Sequence, residues 1–169
     1  MKDKVLNECD KCGREDSLNF YDKISEDIEG IGWSIVSIFS TKDEPEYFWA
    51  YTIGIKESLN HPELLIAGCE TDLSAPILNS IGDYIKEMKV PLKHGQILDG
   101  LLKNDYKLKV IKMDVDAYRD KVTQYFEYFQ EDDIEYFQVL WPDVNGKFYG
   151  EEDYNYEDHI EQEYFGFRA

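Results

Sequence analysis

The residues best placed to do chemistry flank a proline: His61 and Glu63 in the run Asn60-His61-Pro62-Glu63, with Asp143 far downstream between Pro142 and Val144. A histidine near carboxylates has the parts of a general base. These three predict a hydrolase acting on a small polar substrate, with His61 taking the proton and Glu63 or Asp143 supporting it. They are also side-chain types that ligate a divalent metal, although sets this sparse arise often by chance. Tyr51, Thr52, Asn79, Gln138 and Trp141 are polar or aromatic groups that would line a cleft beside them and orient a ligand. The pattern lacks a nucleophile, because no serine stands in a glycine elbow and no cysteine neighbours a histidine in sequence. The competing expectation is that His61 sits in a turn and is fixed by a backbone contact.

Cys9 and Cys12, followed by Gly13, form half of a zinc knuckle. A structural zinc normally takes four ligands and no second CxxC exists, so Cys69, His61, His94 and His159 could complete a site only through the fold. A zinc-stabilised interaction domain is therefore one expectation, and a pair of reduced thiols the other. A thioredoxin-like redox role is weaker, since no strand precedes the motif to feed it into a helix.

Positioning these groups needs a scaffold, and the stretch Tyr47 to Gly68 is its expected centre. Tyr47, Trp49, Tyr51, Ile53 and Ile55 alternate with Phe48, Ala50, Thr52 and Gly54, which predicts a strand covered on both faces. Lys56 to Pro62 reads as a loop, and Glu63 to Gly68 as a second buried strand. Upstream, residues 1–15 are a polar lead-in, and Asp16 or Ser17 caps a helix carrying Leu18, Tyr21, Ile24 and Ile28 that ends at Gly30. Trp33 to Phe39 is then a strand expected to form an antiparallel hairpin with the central one.

Downstream, Thr71 or Asp72 caps a helix with Leu73, Ile77, Leu78, Ile81, Ile85 and Met88 along one side, and Pro76 falls near its first turn. Asn79, close to that stripe, is expected either to reach a backbone group of the sheet or to face solvent. Lys93 to Gly100 reads as a short strand, and Tyr106 to Met113 as a half-buried strand with Tyr106, Leu108 and Val110 inward. Asp114 caps a third helix running to Phe129, and Glu131 to Asp133 form an acidic turn after it. Glu135 to Trp141 is the last long strand, and an Asn145-Gly146 turn can fold Lys147 to Tyr149 back as a short partner. The sum is an α+β fold: a mixed or mainly antiparallel sheet of about five strands packed by about three helices. Its expected extent is one domain over residues 16–150, with an acidic, aromatic extension over residues 151–169.

Composition bounds the partners. With 169 residues, 43% of them hydrophobic, the chain can bury one sizeable core. A formal charge of -18 argues against direct nucleic-acid binding or an anionic membrane surface, since like charge repels both, and it favours a basic protein partner. Thirteen acidic residues against one lysine lie between Glu127 and Glu163, so the negative field is concentrated in the C-terminal part. That region is either a docking surface for a basic partner or a solvated face. No apolar run approaches the roughly 18 residues of a transmembrane helix, and the polar start MKDKVLNECDKCG lacks a signal-peptide core, which predicts a cytoplasmic protein.

Several motifs occur in a telling order. They are Gly32-Trp33, Tyr51-Thr52-Ile53-Gly54, His61-Pro62-Glu63-Leu64, Leu78-Asn79 and Gln138-Val139-Leu140-Trp141-Pro142-Asp143 with Gly146. Over residues 17–150 this resembles the bacterial DUF4262 family of uncharacterised proteins. The resemblance implies a bacterial or phage origin and a cytoplasmic single domain, and carries no activity with it. Gln162 matches a glutamine near the family's end. The chain departs from the family after Gly146, reading Phe148-Tyr149-Gly150 where a proline-tryptophan pair is usual. The function expected is an interaction or small-ligand-binding module, such as a toxin-neutralising or anti-defence protein. The hydrolase and the zinc-stabilised domain are the alternatives.

Overall fold

β-branched and aromatic residues concentrate in short runs that the backbone realises as six strands. The computed structural model describes residues 19–39, 48–69, 71–155 and 162–168. Residues 19–30 are helical (α1). The chain continues through β1 (Ser34–Phe39), β2 (Phe48–Ile53), α2 (Ile55–Leu59), β3 (Glu63–Ala67) and α3 (Thr71–Met88). It ends with β4 (Gln96–Leu98), β5 (Leu108–Lys112), α4 (Thr123–Phe129) and β6 (Tyr136–Leu140). The expected α+β class is what forms, with a six-stranded sheet in the order β1-β2-β3-β6-β5-β4.

The sheet is mixed: β3 and β6 run parallel and every other neighbouring pair is antiparallel. Both strands of the parallel pair are buried along their whole length, as a strand covered on two faces must be. On one face Leu64, Ile66, Val110, Phe137 and Val139 pack against Leu78, Ile81 and Ile85 of α3. On the other face Tyr51, Ile53, Leu65 and Tyr136 meet Ile24 of α1, Tyr125 of α4 and Phe165 near the C-terminus. The β1–β2 hairpin forms as expected, pairing Val36 with Tyr51.

Several local expectations change. Ile55 does not extend β2, because Gly54 adopts φ 120 and turns the chain into α2, where a loop was expected. A Cβ at Gly54 would lie 2.7 Å from Ile28 Cγ1, so only glycine fits both the dihedral and the space. Tyr106 is exposed, not inward, and Ile111 is buried, so β5 is covered on both faces. Leu73 and Met88 lie beyond the part of α3 that meets the sheet and are exposed. The expected third helix is divided into a turn, a 3-10 segment over Arg119–Val122 and α4. Asp114 caps only the turn, its Oδ1 accepting the Ala117 N–H at 3.2 Å. Lys147 to Tyr149 adds no strand, because the Asp143 N–H takes the Lys147 carbonyl at 2.8 Å in a closed turn. Cys9, Cys12, Asp16 and Ser17 lie outside the described residues.

Trp33 locks α3 to the sheet. Its indole N–H donates to Asn79 Oδ1 at 3.0 Å, so of the two expectations for Asn79 it is the exposed position that forms, with a side-chain partner in place of a backbone group of the sheet. Its ring leaves no room over Gly82, where a Cβ would stand 2.5 Å from Trp33 Cζ2. Gly82→Ala raises helix propensity yet overpacks this contact. The expected result is a loss of about 1–3 kcal/mol in urea unfolding, and an unchanged or raised midpoint would show that the ring can retreat.

Candidate functional site

Glu63 opens β3 and is fully buried. Its Oε1 accepts the Gly54 N–H at 2.8 Å and the Lys56 N–H at 3.1 Å. Its Oε2 accepts the Ile55 N–H at 3.3 Å and the Thr52 hydroxyl at 3.1 Å. The carboxyl therefore takes up orphan donors at the start of α2, where the first N–H groups of a helix have no acceptor within the helix. Thr52 in turn accepts the Leu64 N–H at 2.9 Å, continuing the β2–β3 contact past the last paired residues. Burial pushes the Glu63 carboxyl up to about 8, against the pull of the donors that face it. Tyr136 donates its hydroxyl to the Thr52 carbonyl at 2.8 Å, and burial raises its phenol as well.

His61, one residue before Pro62, is held at both nitrogens. Nε2 accepts the Leu92 N–H at 3.0 Å, which leaves the proton on Nδ1, 2.8 Å from the Pro62 carbonyl. Desolvation lowers its pKa, against the pull of the Pro62 carbonyl. A general base needs a lone pair facing its substrate. Here that lone pair is spent on the backbone.

Asp143 lies beyond the opposite end of β6 from Glu63, whose register partner is Tyr136. Its Oδ1 accepts the Asn145 and Lys147 N–H groups at 2.9 and 2.8 Å, and its Oδ2 the Asn155 N–H at 2.9 Å. Trp141 donates its indole N–H to the Ala67 carbonyl at 2.9 Å, tying the C-terminal ends of β3 and β6 together. Gln138 is buried in mid-strand, its amide bonded to the backbone of Glu163 and Phe165. Tyr51 is buried and donates to Gln124. The structure thus spreads the sequence candidates over both ends and the middle of the sheet, and does not gather them in one cleft.

The open surface lies elsewhere. Two adjoining cavities, of about 260 and about 240 Å³, share Asp133 and Glu135 at the N-terminal end of β6. The first is bounded by Lys56, Asn60, His61 and Pro62, so among the described sequence candidates His61 alone reaches it. The second is lined by the apolar Met113, Val115 and Ile134, by Asp114, Asp116 and Asp132, by one cation, Lys112, and by Phe167. Lys56 enters through its contacts with Glu131 at 3.0 Å and the Asp133 carbonyl at 3.1 Å. The acidic run Glu131 to Asp133 was visible in the sequence as a turn. Its meeting with Asp114 and Asp116 had no local signal. Among the described residues no group of three or more His, Cys, Asp or Glu side chains is arranged to hold a metal ion, and no helix is long and apolar enough to cross a membrane.

These features define a layered α+β domain in which Glu63, His61, Asp143 and Gln138 hydrogen-bond the backbone and a groove rich in carboxylates opens at the N-terminal end of β6. The chain belongs to the DUF4262 family, a domain of unknown function, whose family model matches residues 27–155. Neither the curated proteins nor the solved structures supply a match.

Two outcomes follow for the Glu63 cap. Thr52→Val leaves the Leu64 N–H unmet and takes one of its two donors from Glu63 Oε2, with an expected loss of about 1–3 kcal/mol in denaturant unfolding. A loss near zero would mean that relaxation or water replaces the hydroxyl. The native state retains a proton on Glu63 that the unfolded chain releases above 4.5, so this group's contribution lowers stability as pH rises from 4.5 towards 8. Carbon-detected NMR of the Glu63 carboxyl is expected to show a midpoint near 8. A midpoint in the ordinary carboxylate range would show that the four donors outweigh burial.

Proposed function

We propose that this protein is a binding module that takes a basic, extended segment of a partner protein in the groove at the N-terminal end of β6. The observation that carries this reading is the groove's make-up: apolar Met113, Val115 and Ile134 beside five carboxylates, Asp114, Asp116, Asp132, Asp133 and Glu135, which outnumber the one lysine of the lining, Lys112. A lysine or arginine side chain suits such a surface, because its aliphatic stem covers the apolar residues while its charged head stays among the carboxylates. The overall charge of -18 adds long-range steering of a cationic partner and repels nucleic acid and anionic lipid. A toxin-neutralising or anti-defence protein in the bacterial cytoplasm would work in this way. The hydrolase reading draws no support from a histidine held at both nitrogens and a carboxyl closed off from either cavity.

Fluorescence anisotropy with a labelled peptide of alternating arginine and leucine tests the proposal. Binding is expected to weaken steeply with added salt. In the double variant Asp133→Asn, Glu135→Gln the affinity should fall by roughly tenfold. Equal binding by the double variant, or equal binding of a glutamate-leucine peptide, would sink the groove as the site.

A further inference from the structure

The C-terminal segment 162–168 is fastened to the sheet at two separate stations. At the first, Gln138 reads the segment's backbone: its Nε2 donates to the Glu163 carbonyl at 2.6 Å and its Oε1 accepts the Phe165 N–H at 2.7 Å. The Asp114 N–H donates to the Phe165 carbonyl at 2.8 Å, and Met113 and Gly166 form an antiparallel bridge. The Phe165 ring is buried against Tyr118, their centroids 4.8 Å apart. At the second station the relation is reversed. Gln162 grips the backbone of Trp141, its Oε1 accepting the N–H at 2.9 Å and its Nε2 donating to the carbonyl at 3.1 Å.

Met113 and Asp114, which receive the segment, are also groove residues, and Phe167 just beyond the bridge is a groove wall. Phe167 is 62% exposed, so the ring is held in place by its backbone neighbours more than by packing of its own. The groove is therefore composite, with one side supplied by the sheet and the other by the C-terminal segment.

We infer that this segment controls the groove: docked, it completes the site for a basic partner, and released, it removes the Phe167 wall. The inference rests on the groove reading above. Gln162 is then a positioning residue, since it stands by Trp141 and Tyr154 and lines neither cavity, yet holds the segment that carries Phe167. Linkage makes the coupling reciprocal. A ligand that touches Phe167 must favour the docked segment by the same factor by which docking strengthens its binding.

The test combines the labelled arginine-leucine peptide with hydrogen exchange on the full chain. In the wild type, saturating peptide is expected to slow exchange of the Phe165 N–H, while Gln162→Ala is expected to weaken peptide binding by roughly tenfold with the domain still folded. Unchanged Phe165 protection together with unchanged affinity in Gln162→Ala would leave the groove standing and overturn the segment's role. If the wild type does not bind the peptide, the groove reading itself falls and takes this inference with it. Should Gln162→Ala fail to fold, the wild-type exchange measurement decides alone.

Discussion

A buried carboxyl that must find donors governs the centre of this fold. Glu63 has no solvent to turn to, so its four partners have to be in place whenever β3 is. Those partners belong to the end of β2 and the first turn of α2. One side chain thereby fixes the angle at which the chain leaves β2, enters a short helix and returns as β3. Gly54 is the residue that permits the turn, and Tyr136 of the neighbouring strand closes it from the other side through the Thr52 carbonyl. An unmet polar group at this depth would cost more than a typical hydrogen bond returns. The local geometry is accordingly all-or-none.

The same physical logic recurs away from Glu63. Asp143 gathers three N–H groups of the loop after β6, and Gln138 and Gln162 each pair with a stretch of backbone as a strand would. His61 joins its own turn to Leu92, well along the chain. In each case a polar side chain supplies what irregular backbone cannot supply for itself. Side chains of the types that enter active sites are here engaged by the main chain.

The sequence made much of the scaffold legible, because alternation and helical spacing report burial directly. The two-faced strand at Tyr51, the stripe Leu78, Ile81 and Ile85, and the β1–β2 hairpin could all be read from residue order. Where the reading stopped, the cause was non-local. Ile55 keeps the alternation of a strand, but a glycine dihedral and a carboxyl eight residues away place it in a helix. Tyr106 has the right parity to be buried and lies just before β5 begins. For the groove, the acidic turn at Glu131 to Asp133 was visible, whereas its partners Asp114 and Asp116 belong to it only because the chain leaves β5 and returns to β6 at one place. The two glutamines illustrate the limit best: each was identifiable as a polar residue, and neither could be assigned a backbone partner without the fold.

That return of the chain also explains where the open surface lies. Ligand crevices in open α/β sheets sit at the C-terminal ends of the strands, but here that end of the parallel pair is sealed by Trp141 on the Ala67 carbonyl. The other end is different, because β6 has an antiparallel neighbour. The start of β6 therefore lies beside the end of β5, with the Met113 N–H on the Tyr136 carbonyl at 2.9 Å. Between them the chain departs through Asp114 and Asp116, covers one face of the sheet with α4, and comes back through Asp132, Asp133 and Glu135. Both sides of the resulting groove carry carboxylates, with Lys112 at the end of β5 as a cation among them. Arg119 spans part of the gap, 3.2 Å from Asp132 and 3.9 Å from Asp116, and its guanidinium stacks 4.0 Å from the Phe126 centroid. One cation thus already bridges the acidic groups that leave β5 and those that return to β6, and because Asp116 and Asp132 are almost fully exposed, solvent screening keeps the gain from each of these pairs small.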